Sequence, residues 1–451
     1  MRWITQSVWH TRRRKKDRLG NPEEAGWLCV KTDILVLADD FTGALDTGMQ
    51  FAKCGASTRV ITDPDCDFAR MQAQVLVIDT ETRHQTPERA AQRIAEIVRR
   101  ASESGIRFFY KKTDSALRGN AGAEIEAMLC ASGGSCVHFL PSFPAMGRTV
   151  QGGVLYIQGQ PVAESVFGKD PFEPITRSEV ASILAQQTET PVDVRDGVDA
   201  VRLWDGIIVY NAQTDAQINE IVNRLRLDGE KVLLAGCAGL AASLAGRVYG
   251  GKNAFELPQT APGMLVVCGS VNEVTRRQLG AARAAGFEYC RLNNCQKLTD
   301  FLQTPEGTAW LDRLYLTVRT EKNCIIDTND AEDEETAADY GARLGMNVGQ
   351  VGNAIADTLG FVVEELLARG TDRLLLLTGG DVLYHTMNRM GITELTPLAE
   401  VSPGVILTCF CCGEKTQYVL TKSGGFGDEQ LLIRVNRMFA GQQDLTHAER
   451  R

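Results

Sequence analysis

The feature that most constrains the fold of this chain is a regular alternation of short β-branched runs with segments of helical spacing, which begins at Asp33. Strands that alternate with helices along a chain usually pair in parallel within one sheet. The alternation therefore predicts an α/β fold in which a largely parallel sheet is flanked by helices. The clearest runs in the first half are residues 58–62, 75–79, 107–110, 137–140, 207–210 and 232–235.

The alternation is interrupted by a polar stretch at residues 250–263 and restarts with an apolar run at 264–270. The chain has 451 residues, a length that suggests two or three domains of about 150 residues. We therefore predict two domains, each with a largely parallel sheet flanked by helices, and an active site in the cleft between them. The predicted divisions are a basic tail at 1–32, a first domain at 33–249, a linker at 250–263, a second domain at 264–440 and a polar tail at 441–451.

The composition argues against several functional classes. The formal net charge of −9 disfavours a general nucleic-acid-binding protein, and no apolar run approaches the roughly 20 residues needed to cross a bilayer. The thirteen cysteines are scattered along the chain, and we expect them to be reduced packing residues. These features predict a cytoplasmic enzyme with no nucleic-acid or membrane partner, and they leave homodimerisation open.

Glycine-rich turns near the C-terminus predict an anion site. Residues 376–381 and 421–427 each follow an apolar run and precede a predicted helix, and Ser270 ends a third strand before a helix that starts near Asn272. Glycine lets backbone N–H groups crowd around an anion, and a helix N-terminus adds favourable electrostatics. Ligands of open α/β sheets lie at the carboxyl ends of the strands, so the three turns could converge on one crevice.

An acidic turn marks the other half of the chain. Residues 35–44 form a strand that ends in Asp39 and Asp40, followed by a turn. Either aspartate could belong to a ligand site, or it could cap the following helix. No standard nucleotide motif accompanies these features, because residues 246–252 lack the following Ser or Thr of a P-loop and residues 425–430 lack the third glycine of a dinucleotide fingerprint.

Five motifs taken together resemble the four-carbon acid sugar kinase family, in the right order between about Asp33 and Asn436. The resemblance implies ATP-dependent phosphorylation of a tetronate such as threonate, erythronate or an oxo-tetronate. It also implies that the first domain binds the sugar acid and the second binds the nucleotide. The motifs are residues 38–44, 112–120, 141–144, 379–381 and 422–427.

The chemistry of a sugar acid agrees with the residues in these motifs. Its carboxylate requires a fixed cation, which Arg83, Lys112 or Arg118 can supply, and its hydroxyl groups require acceptors such as carboxylates. The acceptors are Asp39, Asp40 and Asp114. The resemblance carries substrate contact onto Asp40, Arg83, Lys112, Thr113, Asp114 and Ser115, and nucleotide contact onto Ser270, Gly379, Gly380, Asp381, Val382 and Gly424, with Gly425 in the same turn.

Roles can be assigned to three of these carboxylates as predictions. Phosphoryl transfer needs a base for the attacking hydroxyl group, for which Asp40 is the first choice and Asp114 the second. Asp381 is predicted to bind Mg²⁺, directly or through water. Val382 follows it where many family members have a hydroxyl residue, which removes one potential phosphate or metal contact.

Simpler interpretations remain open for several residues. Arg83 could be a surface arginine, Lys112 and Asp114 could form a structural ion pair, and the glycine pairs could be ordinary turns. Two other functions also remain: a sugar-acid sensor without catalysis, and an aspartate-dependent phosphatase, although the acids are adjacent rather than spaced as Asp-x-Asp. A dehydrogenase is disfavoured because the dinucleotide fingerprint is absent.

Overall fold

A computed structural model of the protein describes residues 31–169, 174–198, 204–251, 255, 257–258, 261–321, 323–331, 333–412 and 415–440. Of the predicted segments, the tail at 441–451 and all but the last two residues of the tail at 1–32 lie outside the described residues, and the linker at 250–263 is described in part.

Within the described part of the first half, eight parallel strands form a sheet and three short strands form a separate antiparallel sheet. The strands are β1 Ile34–Ala38, β2 Thr58–Ile61, β3 Val75–Asp79, β4 Phe108–Lys112, β5 Cys136–Leu140, β6 Arg148–Gln151, β7 Val154–Ile157, β8 Gln160–Pro161, β9 Val192–Arg195, β10 Gly206–Tyr210 and β11 Val232–Gly236. The helices are α1 Phe41–Lys53, α2 Pro87–Glu103, α3 Ala121–Ser132, α4 Val180–Leu184, α5 Asp215–Arg224 and α6 Ala238–Val248.

The second half repeats this architecture with an antiparallel addition at one side of its sheet. Its strands are β12 Ala261–Cys268, β13 Glu288–Arg291, β14 Cys324–Asp327, β15 Arg373–Thr378, β16 Glu394–Ser402, β17 Val405–Cys412 and β18 Lys415–Lys422. Its helices are α7 Glu273–Ala284, α8 Asn294–Leu298, α9 Pro305–Thr320, α10 Ala337–Arg343, α11 Val348–Ala368, α12 Gly380–Met390 and α13 Leu431–Phe439.

The predicted α/β class is confirmed, and so are the six strands predicted in the first half. Helix α2 begins at Pro87 and is capped by Thr86, whose hydroxyl group accepts a hydrogen bond from the N–H of Arg89. The helix predicted near Asn272 begins at Glu273, with Asn272 as its N-cap. Every residue of β1 and β3 is buried, as expected for strands covered by helices on both faces.

The two sheets join, which the sequence pattern did not predict. Strand β16 pairs antiparallel with β2 through Glu394 opposite Ile61 and Leu395 opposite Val60. The result is one mixed sheet in the order β13-β14-β12-β15-β18-β17-β16-β2-β3-β1-β4-β11-β5-β10-β9. Without β16, strand β2 would be an edge with unpaired backbone groups. None of the described helices is both long and apolar enough to cross a membrane.

Candidate active site

The acidic residues of the first half lie where two neighbouring strands end. Asp39 and Asp40 follow β1, and Asp114 comes two residues after Lys112, the last residue of β4. Strands β1 and β4 pair in parallel, with Ala38 opposite Lys112. The carboxyl ends of parallel strands share one edge of a sheet, so the fold brings these side chains together.

Arg83 joins the carboxylates at this edge. Its Nε donates to Oδ2 of Asp39 at 2.8 Å, its Nη1 donates to Oδ2 of Asp40 at 2.7 Å, and its Nη2 lies 3.9 Å from Oδ1 of Asp114. Only 11% of the Arg83 side chain is exposed. The interpretation of Arg83 as a surface arginine is therefore wrong, and the residue belongs to the predicted cluster.

A buried ion pair that was not identified from the sequence supports the Arg83 loop. Nζ of Lys111 lies 3.0 Å from Oε2 of Glu124, and neither side chain is exposed to solvent by more than 1%. Glu124 also accepts a hydrogen bond from the hydroxyl group of Thr82, whose N–H donates to the Asp39 carbonyl at 3.1 Å. The sequence feature that could have revealed this pair is the lysine doublet in β4. Adjacent strand residues point to opposite faces of the sheet, so one of the two lysines had to point away from the site.

The two adjacent aspartates have different roles. Asp40 is the N-cap of α1, since its Oδ1 accepts the N–H of Gly43 at 3.0 Å while Oδ2 binds Arg83. Asp39 does not cap the helix: it is 2% exposed and its Oδ1 has no hydrogen-bond partner among the described residues. Burial raises the pKa of Asp39, but the charges of Arg83 and two nearby lysines outweigh burial and leave that pKa below its ordinary value.

Asp114 is held as an anion by its own turn. Nε and Nη2 of Arg118 each donate to one of its carboxylate oxygens at 3.0 Å, and the N–H groups of Ala116 and Arg118 add two more bonds. Burial favours the neutral acid, yet the hydrogen bonds from Arg118 and the charge of Arg83 hold the pKa of Asp114 well below its usual range. Arg118, rather than Lys112, is therefore its ion-pair partner.

Lys112 lies beside the helix cap. A methyl group built on Gly43 would meet Oδ1 of Asp40 at 2.5 Å and Nζ of Lys112 at 2.6 Å, so the carboxylate and the ammonium group flank one point. Thr113, which follows Lys112, is buried and its hydroxyl group has no partner among the described residues. Ser115 is half-buried in the same turn. The segment thus offers a cation and hydroxyl groups beside Asp40.

The three glycine-containing turns of the second half also come together. They follow β12, β15 and β18, which are neighbouring parallel strands. The N–H of Gly269 donates to the Thr378 carbonyl at 3.3 Å, and the N–H of Gly379 donates to the Lys422 carbonyl at 3.2 Å. Gly379 has a φ of +96°, a conformation that favours glycine. Gly424 instead needs space, because a Cβ there would lie 2.7 Å from Oγ of Ser270.

A buried lysine determines how the last turn faces. Nζ of Lys422 donates to the carbonyls of Ser423 and Gly424 at 2.9 and 3.1 Å, and to the hydroxyl group of Thr275 at 3.1 Å. The C=O and N–H groups of a trans peptide point in opposite directions, so the N–H groups of Gly424 and Gly425 point away from Lys422. Neither N–H has a hydrogen-bond acceptor among the described residues. Two adjacent outward N–H groups can bind a phosphate.

The first turn of α12 places its side chains on opposite sides. Val382 is 2% exposed and packs toward Gly269, where a Cβ would meet it at 2.5 Å. Val382 can therefore offer a ligand only its backbone N–H. Asp381 is exposed, and its charge acts on Glu81 of the first half.

The two halves touch at the N-termini of α1 and α12. A Cβ on Gly380 would lie 2.1 Å from Oγ1 of Thr42, which is two residues beyond the Asp40 cap. The rings of Phe41 and Tyr384 pack nearby, with centroids 6.0 Å apart. Two helix N-termini, each favourable for an anion, therefore face one another across the boundary between the halves.

Gly380→Ala is expected to lower kcat/KM at least tenfold by pushing these helices apart. Alanine favours a helix over glycine by about 1 kcal/mol, so helix propensity alone would not lower activity. A loss of activity would therefore come from the clash with Thr42. Steady-state kinetics measure it, with Gly352→Ala as the control, because that helical glycine has open space around it. Unchanged kinetics in Gly380→Ala would show that the helices are not in close contact.

Comparison with known proteins identifies two family domains in this chain. A family described as "Sugar-binding N-terminal domain" matches residues 34–244, and one described as "Nucleotide-binding C-terminal domain" matches residues 265–432. The chain is 32% identical to a D-threonate kinase of Salmonella typhimurium over 88% of this chain and 96% of the relative. It is 27% identical to a 3-oxo-tetronate kinase of Pseudomonas fluorescens over 90% of this chain and 97% of the relative.

Solved structures share the fold. A crystal structure of a Salmonella typhimurium protein superposes with a TM-score of 0.76 at 23% identity, covering 90% of this chain and 99% of that one. A Haemophilus influenzae protein superposes with a TM-score of 0.70 at 21% identity, covering 90% and 100%. From the two domain matches and the full-length relatives, the chain belongs to the four-carbon acid sugar kinase family.

Proposed function

We propose that this member of the four-carbon acid sugar kinase family transfers the γ-phosphoryl group of ATP to the terminal hydroxyl group of a tetronate, such as threonate, erythronate or an oxo-tetronate. The observation that carries the proposal is the contact between Thr42 and Gly380. This contact supports a site to which Asp40, two residues before Thr42, and the glycine turns of the second half both contribute. A phosphoryl donor in one half could then meet an acceptor in the other, in the cytoplasm where ATP is available.

Asp40 is the better candidate for the base. It is 26% exposed, and a carboxylate has about four lone-pair sites, of which Gly43 and Arg83 use two. Asp114 already accepts four hydrogen bonds and its pKa is held well below the usual range, so it is a poor proton acceptor. We assign Asp114 to substrate positioning, together with Lys112 and the hydroxyl groups that flank it.

The nucleotide phosphates would lie against backbone N–H groups of the second half. Gly379, Gly380 and Val382 open α12, while Gly424 and Gly425 present the two outward N–H groups beside Ser270. Positioning and electrostatic stabilisation supply most of the catalysis in phosphoryl transfer, so preformed donors of this kind suit the reaction.

Mg²⁺ would be held by Asp381 in the first turn of α12. The described residues contain no group of three or more metal-ligating side chains. A single carboxylate such as that of Asp381 fits Mg²⁺, which usually binds through one or two carboxylates and keeps water and substrate phosphates as its other ligands. When bound, the ion would neutralise charge on the phosphates. Glu81 of the first half acts electrostatically on the same carboxylate.

The direct test is a coupled assay of ADP release with Mg·ATP and a panel of threonates, erythronates, 2-oxo-tetronates and 3-oxo-tetronates. We expect ADP formation that depends on at least one of these acids. Binding of an acid without ADP formation would favour the sensor. Phosphate release from a phosphorylated tetronate without ADP would favour the phosphatase.

Lys422→Met is expected to raise the KM for ATP about 10- to 100-fold and to leave the KM for the sugar acid unchanged. The substitution removes the hydrogen bonds and the charge that orient the two N–H groups, each bond to a charged group being worth about 1.5–3 kcal/mol. Lys415→Met, at the exposed start of the same strand, is the matched control.

The wild-type pH dependence offers a second readout of Lys422. Burial lowers the pKa of Lys422 to about 8, whereas burial raises that of the neighbouring Cys268 thiol to about 12. An anion binds the protonated lysine better, so ATP affinity should fall as pH rises through 8. Lys422→Met should lack that decline; an equal decline in both proteins would contradict the assignment.

A further inference from the structure

Two of the three cations predicted to capture the substrate carboxylate are already engaged by the protein. Arg83 donates hydrogen bonds to Asp39 and Asp40, and Arg118 donates one to each carboxylate oxygen of Asp114. A guanidinium group that is paired with protein carboxylates has little remaining attraction for another anion. The third, Lys112, forms no ion pair with the described residues but lies beside Oδ1 of Asp40, where the reacting hydroxyl group is proposed to bind, so the carboxylate at the other end of the substrate needs a further cation.

Arg148 is an additional cation at this site. It begins β6, the first strand of the small antiparallel sheet, and is half-buried. Its Cζ lies 5.8 Å from the centre of the Phe167 ring, and Cζ of Arg118 lies 5.2 Å from the same centre. Both guanidinium groups therefore lie against the ring of Phe167. The negative charge of Asp114 also acts on Arg148.

Arg148 forms no ion pair within the part of the chain that the structure describes. No described carboxylate lies within 4 Å of its guanidinium nitrogens, unlike those of Arg83 and Arg118. Its Nη1 donates to the carbonyl of Met146, and its Nε is buried without a hydrogen-bond partner. A buried donor without an acceptor destabilises the unliganded site, and an anionic ligand that accepted its hydrogen bond would remove that cost.

We propose that Arg148 binds the carboxylate of the sugar-acid substrate, while Arg83 and Arg118 orient Asp40 and Asp114 toward its hydroxyl groups. The inference rests on the proposed function, because it states which protein residue binds each end of the same substrate. With the carboxylate at Arg148 and the opposite end at Asp40, the acid group selects which hydroxyl group is phosphorylated.

The charges around the site agree with this assignment. Of the four cations in the cluster, Arg83 and Arg118 are paired with Asp39, Asp40 and Asp114, whereas Lys112 and Arg148 form no ion pair with the described residues. A neutral polyol or sugar of the same size would leave Arg148 unpaired, and a site with buried unpaired groups rejects such analogues strongly. The four cations are Arg83, Lys112, Arg118 and Arg148.

The test compares D-threonate with its neutral amide, D-threonamide, by titration calorimetry and by ADP release. We expect the wild type to bind the acid at least 100-fold more tightly than the amide, and Arg148→Gln to lose most of that preference while its KM for ATP stays within twofold. Arg148→Lys keeps the positive charge but lacks the paired N–H donors of a guanidinium group, so it should retain an intermediate preference for the acid over the amide. Arg99→Gln, an exposed arginine on α2, is the matched control.

An unchanged acid-to-amide ratio in folded Arg148→Gln would overturn the assignment to Arg148 but not the proposed function. If Arg148→Gln does not fold, a wild-type ratio in Arg148→Lys would overturn it equally. Calorimetry needs no turnover, so wild-type binding of D-threonate with no ADP formation from any acid of the panel would overturn the proposed function while the ratio still tests Arg148. Failure of the wild type to bind D-threonate or to prefer it over the amide would also overturn the assignment.

Discussion

Asp40→Asn is expected to lower kcat about 10²- to 10⁴-fold, the range that general-base catalysis typically contributes. Asparagine cannot accept the proton of the substrate hydroxyl group, but it is as good an N-cap as aspartate. Helix α1 should therefore form normally on the cap bond to Gly43. The measurement is kcat from the ADP-release assay, with folding followed by circular dichroism.

Asp205→Asn is the matched control for Asp40→Asn, since Asp205 is exposed and distant in sequence from the cluster. It should leave kcat unchanged. If folded Asp40→Asn kept near wild-type kcat, Asp40 would not be the base. A comparable loss in Asp114→Asn alone would then transfer the role to Asp114.

Arg83→Ala is expected to destabilise the first half of the protein by about 3–5 kcal/mol, because removing one partner of a buried ion pair leaves a buried charge unpaired. Asp39, which is 2% exposed, would lose the one side-chain hydrogen bond that it forms with the described residues. For a half of this size, the loss corresponds to a fall in Tm of about 10 °C. Thermal unfolding at pH 7 measures the change, with Arg99→Ala as the exposed control.

The pH dependence of Arg83→Ala identifies the cause. In the wild type the pKa of Asp39 is below its ordinary value, so its contribution to stability is present above that ordinary value and is lost only at lower pH. Without Arg83, burial should raise the pKa of Asp39, and lowering the pH from 7 to 5 should recover part of the lost Tm. No fall in Tm, or no recovery at pH 5, would contradict the burial of an unpaired Asp39 charge.

Features carried by local pattern were predictable from the sequence. Burial on both faces requires the apolar runs of β1 and β3, and a threonine followed by proline marks the start of α2. The three glycine turns were predicted to converge at the carboxyl ends of their strands, and they do follow the neighbouring parallel strands β12, β15 and β18.

Features carried by contacts between distant segments were not predictable in this way. The pairing of β16 with β2 joins strands more than 300 residues apart, and neither strand's pattern specifies its partner. Arg148 resembles any arginine beside a short strand until the fold places it near Arg118. The inward direction of the carbonyls around Lys422 depends on backbone geometry, which residue identity alone leaves undetermined.

Phosphorus NMR of the reaction product tests most directly whether the two halves form one kinase site. The protein, Mg·ATP and the best acid of the panel should yield ADP and one new ester signal in equal amounts. In the proton-coupled spectrum that signal should be a triplet, because a phosphate on a terminal hydroxyl group couples to two protons. Inorganic phosphate as the only new product, or a doublet from a secondary ester, would contradict the proposed phosphorylation of the terminal hydroxyl group.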